Sequence, residues 1–112
     1  QPTALTKFHV ANITMGLTKK GPNYESQATV QIVDDLNQLI SGATVSGDFS
    51  FNGVFLNSAS GNTLSSGTVL LRSSKVRASS GNIFTFTVQN VSKSGYTYDS
   101  AFNTETSDSI TV

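Results

Sequence analysis

The chain reads as an all-β protein, an antiparallel β-sandwich of about seven strands. Three observations predict this. The stretch Ile83 to Val91, IFTFTVQNV, alternates Phe84, Phe86 and Val88 against Thr85, Thr87 and Gln89, the period-two pattern of a half-buried strand. Elsewhere too the apolar residues fall at period two and β-branched residues are abundant, so helix content should be near zero. A flat sheet of this size would leave an apolar face in water, whereas two sheets packed together bury both faces.

Taken in order, Leu5 to Met15 sets Phe8 and Val10 against Lys7, His9 and Ala11 and predicts a first strand. Gly16 to Ser26, with Lys19, Lys20, Gly21, Pro22 and Asn23, is expected to be a loop that no strand continues through. Gln27 to Val33 places Ala28, Val30 and Ile32 on one face as a second strand. After a polar connection around Asp34, Asp35, Asn37, Ser41 and Gly42, the alternation resumes at Ala43 to Phe51, so the two strands look like a turn-linked pair. Asn52 and Gly53 break it, and Val54 to Leu56 forms a short edge strand or a continuation past a bulge. Ser58 to Gly67 is turn-rich, with its tip at Ser60 to Asn62. Thr68 to Arg72 suits a buried strand, and Ser73 to Asn82 another loop. A central strand from Ile83 follows, then the SKSG turn, the aromatic segment Tyr96 to Asp99, a polar excursion, and a last strand at Ser109 to Val112.

The 112 residues make one domain, residues 1–112, with one core. Charged residues are 12% of the chain and the formal net charge is zero. A neutral surface rich in hydroxyls and amides has no field to attract nucleic acid or an anionic membrane. Cysteine is absent, so neither a disulfide nor a thiolate metal site supports the fold. No apolar run approaches the roughly 20 residues of a spanning helix, so no membrane insertion is expected. The start at Gln1 without Met reads as a mature fragment or excised domain, and the Thr/Ser/Asn-rich composition is that of an exported protein, which predicts a secreted, extracellular location.

No catalytic residue is expected. The single histidine, His9, has the solvent-facing parity and no nucleophile or carboxylate in a recognisable motif, and G-x-S-x-G, His-Glu-x-x-His and phosphate-loop patterns are absent. No cofactor is called for. Calcium needs about six to eight oxygens, of which Asp34, Asp35 and Asn37 with loop carbonyls could supply some, although the same residue types are what a turn selects to bond its own backbone. Asp99, Asn103, Glu105 and Asp108 form a second, equally diffuse possibility for such a site. Aromatic rings can stack sugars while amides and carboxylates bond the hydroxyls, which makes Tyr24, Tyr96, Tyr98 and Phe102 candidate platforms and Asp99 and Asn103 candidate partners. The absence of Trp weighs against this, and a tyrosine that ties a loop to the sandwich explains Tyr96 or Tyr98 equally well. Lys19 with Lys20, and Lys75 with Arg77, read as solvated loop charges.

The phrases HVANI (His9 to Ile13), ATVQIVDDLNQLISGATVSGDFS (Ala28 to Ser50) and FTVQNVSKSGYTYDSAFN (Phe86 to Asn103) resemble the immunoglobulin-like accessory domains near the C-terminal end of secreted bacterial hydrolases. The likeness centres on Gly42 to Val45, GATV, with Leu39 where such domains usually carry a proline. It implies an immunoglobulin-like sandwich that serves a larger secreted protein as a substrate-binding module for polysaccharide or cell-surface glycan, or as a purely structural spacer or stabiliser. It supplies no catalytic residues. If sugar binds, Tyr96 and Tyr98 stack it and Asp99 and Asn103 bond its hydroxyls. Some bacterial surface domains of this kind also form a Lys–Asn amide bond, for which Lys7 and Asn103 are the conceivable pair.

Overall fold

The computed structural model describes residues 6–112, which form an all-β sandwich. Its nine strands are β1 (Thr6–Lys20), β2 (Asn23–Asp34), β3 (Thr44–Phe51), β4 (Val54–Asn62), β5 (Thr68–Arg72), β6 (Val76–Arg77), β7 (Ile83–Ser92), β8 (Tyr96–Tyr98) and β9 (Ser107–Thr111). The five-stranded sheet runs β5-β2-β1-β8 with β6 also on β2, and the four-stranded sheet runs β4-β3-β7-β9. The count exceeds the expected seven because β6 and β8 are fragments of two and three residues. Among the described residues the single helical element is a 3-10 turn at Ser100–Phe102.

β7 lies inside its sheet between β3 and β9, and Phe84, Phe86 and Val88 are buried while Gln89 is exposed, as the alternation requires. Phe86 stands opposite Phe49 and Phe84 opposite Phe51 on β3, with ring centroids 4.7 and 5.0 Å apart. Cross-strand aromatic pairs of this kind stabilise by about 0.5–1.5 kcal/mol beyond their burial. The facing layer is Phe8, Val10 and Ile13 of β1 with Ala28, Val30 and Ile32 of β2. Val10 and Ile13 both point inward, although three apart, because the register shifts between Val10 and Asn12 and the bulge reverses the parity.

Four expectations are corrected. The predicted loop over residues 16–26 is mostly strand: β1 continues to Lys20 and turns at Gly21 and Pro22 straight into β2. Lysines and amides signal a loop only where a strand must cover a core, whereas here a paired ladder supplies the backbone bonds and the ends are solvated. The predicted start at Leu5 lies outside the described residues. β2 and β3 are not a pair, since the chain crosses from one sheet to the other between Asp34 and Thr44 and buries Ile40 and Ala43 in passing. Both residues join the core cluster.

The third correction concerns β4, which spans Val54–Asn62 and contains the residues expected at a turn tip. Ser58 to Asn62 are small and polar because an edge strand has little to bury. The turn preceding it is the tight Asn52–Gly53 reversal, with φ of 52° and 83°, the left-handed pair that a two-residue hairpin needs. Fourth, β8 pairs with β1 in parallel, Thr6 to Tyr96 and Phe8 to Tyr98, so one ladder departs from the antiparallel expectation. The segment after the SKSG turn changes sheets, and that reverses its direction relative to a hairpin partner. β5 matches its predicted span, but Leu70 is exposed at this sheet edge, and β9 begins two residues earlier than expected.

The body is elongated, 58 × 24 × 19 Å. Thr6 lies at the end that holds Asp34, Ser92 and Tyr96, and Thr111 lies at the opposite end beside Ile83.

Candidate functional site

The residues singled out for ligand binding converge on one side of the sandwich, where the segment from Tyr96 to Thr106 runs along the outer edge of β1. Tyr96 stacks on Phe8 at 5.3 Å and 20°, and Tyr98 meets the same ring edge-on at 6.4 Å and 71°. The Asp99 amide donates to the Phe8 carbonyl at 2.9 Å, and the Thr104 amide to the Val10 carbonyl at 3.0 Å. Asn103 accepts from the Val10 amide at 2.8 Å through Oδ1, while Nδ2 donates to the Tyr98 hydroxyl at 2.7 Å and to Thr106 Oγ1 at 3.0 Å. Glu105 accepts from the Ile13 amide through Oε1. Side-chain oxygens therefore satisfy β1 where no ladder partner reaches it.

Of the four predicted ligand residues, Tyr96, Tyr98 and Asn103 are thus engaged inward and only partly exposed, and Asp99 opens the 3-10 turn with no cap from its side chain. The arrangement brings all four together, as anchors of one closing segment. Lys7 is exposed, and the Asn103 carboxamide already has its partners.

A shallow open groove of about 670 Å³ does adjoin Tyr96 and Tyr98, floored by Thr44, Asn90, Ser92 and Lys93. Lys93 Nζ lies 5.1 Å from the Tyr96 ring centroid and donates to the Ser41 carbonyl at 2.6 Å. These groove residues carried no sequence signal, because Thr44, Asn90 and Lys93 belong to separate segments and none forms a spaced motif.

At the weak calcium candidate, Asp34 Oδ1 accepts from the Leu36 and Gln38 amides at 2.8 and 2.9 Å. The Asn37 amide donates to the Asp34 carbonyl, and Asn37 adopts φ 61°, so Asp34 organises a turn around itself. Asp35 beside it is exposed. Among the described residues no three His, Cys, Asp or Glu side chains gather as a metal site would require.

Two further places have chemistry. His9 keeps its outward parity but is half-buried beside Phe102, and with Asp35 these residues line a cleft of about 400 Å³. On the outer face of the five-stranded sheet, Thr14, Thr18, Gln27, Thr29 and Leu70 line a shallow depression of about 350 Å³ that reaches Arg72. There Arg72 pairs with Glu25 at 3.1 Å, and this hydrogen bond, helped by Gln27 and the charge of Lys20, holds the Glu25 carboxyl below its ordinary pKa against the opposing effect of burial. No family model matches this chain, and no curated protein or solved structure matches it either.

Proposed function

We propose that the chain is a non-catalytic, immunoglobulin-like accessory domain of a larger secreted bacterial protein, acting as a spacer and stabiliser. The observation that carries this reading is the inward use of the Tyr96, Tyr98 and Asn103 side chains, the residues best suited by type to hold a glycan. A ring already stacked on Phe8 has one face fewer for a sugar. The elongated shape supports the same reading, since chain segments continuing from β1 and from β9 would lie at opposite ends of a body 58 Å long. The secreted bacterial setting rests on the phrase likeness and on the low charge.

A second reading, binding of a polysaccharide, is favoured by the open groove beside Tyr96, whose floor of Thr44, Asn90 and Lys93 offers hydroxyl, amide and ammonium groups. A pull-down on insoluble polysaccharides, with and without calcium, separates the two. The spacer reading expects no retention, and it expects deletion of the domain to change only the stability or secretion of the longer protein. Retention that Lys93→Ala and Thr44→Ala abolish, with the fold intact, would replace it with the second.

A further inference from the structure

The formal net charge is zero, but the fold sorts the charges along the long axis. Lys19 and Lys20 close β1, and β6 brings Arg77 to the same end, since Lys20 stands opposite Asn23 on β2 and Asn23 opposite Arg77. Directly opposed residues share a face, so Lys20 and Arg77 lie on one side of the sheet, about 10 Å apart across two strand spacings. Lys19 has the opposite parity, with its Nζ 6.0 Å from the Tyr24 ring centroid. Lys75 immediately precedes β6. Arg72 is the fifth cation here and pairs with Glu25. Lys19, Lys20, Lys75 and Arg77 are all exposed and have no carboxylate partner among the described residues.

The second sheet brings an apolar tip to the same end. Val54 and Phe55 follow the Asn52–Gly53 reversal and are 68% and 63% exposed. Ile83, 41% exposed, is held against that reversal by the bond of its amide to Asn52 Oδ1 at 3.0 Å. The Asn57 side chain sets the relative height of the two tips, accepting from the Ser74 amide at 2.8 Å and donating to the Arg72 carbonyl at 3.4 Å. From that level β4 runs three residues back to Val54, and β2 runs four back from Gln27, the partner of Arg72, to Asn23. At about 3.3 Å per residue the tips project about 10 and about 13 Å, to nearly the same height.

We propose that this end of the sandwich docks, tip first, on a phospholipid bilayer that carries anionic headgroups. The four cations attract the headgroup charge, and Val54, Phe55 and Ile83 gain by entering the boundary between headgroups and acyl chains. The contact is interfacial, because an open sheet edge cannot enter the hydrocarbon and only the tip side chains penetrate. The cations flank the β1–β2 turn on both faces of the sheet, an arrangement that meets a plane lying across the long axis. A linear polyanion is instead tracked by a groove of charge along one face, and it has no use for an apolar tip. The inference goes beyond the spacer reading, and either can fail without the other.

The test is co-sedimentation of the 112-residue chain with large vesicles, either phosphatidylcholine alone or phosphatidylcholine mixed with phosphatidylglycerol. The chain should partition onto the mixed vesicles and not onto the neutral ones, and raising salt from about 50 to about 300 mM should weaken partition about ten-fold. Lys19→Ala with Lys20→Ala should lower it about twenty-fold, and Val54→Ser with Phe55→Ser about ten-fold, with the dichroism unchanged because all four positions are exposed. Without any substitution, a headgroup spin label in bicelles of the mixed lipids should broaden the amides of Lys20, Val54 and Ile83 and spare those of Tyr96 and Asp99 at the opposite end. Equal partition onto neutral vesicles, none onto mixed ones, or broadening centred on Tyr96 overturns the proposal. Vesicle binding that Val54→Ser with Phe55→Ser leaves untouched, matched by equal binding to heparin, would make the cations a polysaccharide site instead. A dimer in solution that the same pair of substitutions dissolves would make the tip a contact between two copies of the chain.

Discussion

Asn103 reaches from the closing segment to the Val10 backbone, accepting its amide at 2.8 Å across a sequence separation of 93 residues. One carboxamide thereby stands in for the missing strand partner at the bulged part of β1, and through Nδ2 it also fixes Tyr98. Removing it leaves a part-buried amide without an acceptor. Asn103→Ala should cost about 1–3 kcal/mol of stability. Hydrogen exchange at Val10 should accelerate together with the drop in denaturant midpoint; unchanged protection at Val10 would show that the bond matters little.

Gly47 on β3 lies beneath Phe86, and a Cβ there would come within 2.5 Å of the Thr87 carbonyl oxygen as well as into the Phe86 ring. Backbone cannot yield as a flexible side chain does. Gly47→Ala should therefore destabilise by about 1–3 kcal/mol or more despite adding a single methyl, whereas alanine at Gly16, whose nearest neighbour is the mobile end of Gln27 at 3.3 Å, should cost less. Urea unfolding of the two variants side by side checks the order.

The Asp34 carboxylate holds the crossing between the sheets. Losing the two amides it accepts should destabilise Asp34→Ala by about 1–3 kcal/mol. That loss should be the same with and without calcium, because Oδ1 is committed to the turn. A thermal midpoint that rises on adding calcium in the parent protein, and not in the variant, would restore the metal reading.

Glu25 has a folded-state pKa held down chiefly by its hydrogen bond to Arg72. A lowered carboxyl pKa contributes stability that is complete above the ordinary glutamate value of about 4.3 and is lost as pH falls through the folded value. The parent should therefore lose stability relative to Glu25→Gln only below about pH 5. Unfolding free energies of both proteins between about pH 7 and about pH 3 test this, and parallel curves over that window would dissociate the pair from acid stability.

Fluorescence or dichroism can follow all of these transitions, since three tyrosines and a nearly pure β backbone are available as reporters.

Alternation along the chain was sufficient to determine β7 and the part of β2 from Gln27 onward, and with them the choice of inner face, because a side-chain period of two leaves a buried strand only one way to face its core. The near absence of helix was equally legible. The sequence was silent wherever a backbone's bonds, rather than apolar side chains, define the element. β1 beyond Met15 and β4 beyond Leu56 are strands by virtue of their partners, and composition at such edges resembles that of a loop. Tyr96, Tyr98 and Asn103 were legible as a cluster, but not in their direction: residue type told what they could bond, and only the parallel docking of β8 on β1 decided that they turn toward Phe8 and Val10. The cleft of His9, Asp35 and Phe102 lay beyond sequence reading, because three residues from separate segments meet only when β1 pairs with β2 and the segment after β8 docks along β1.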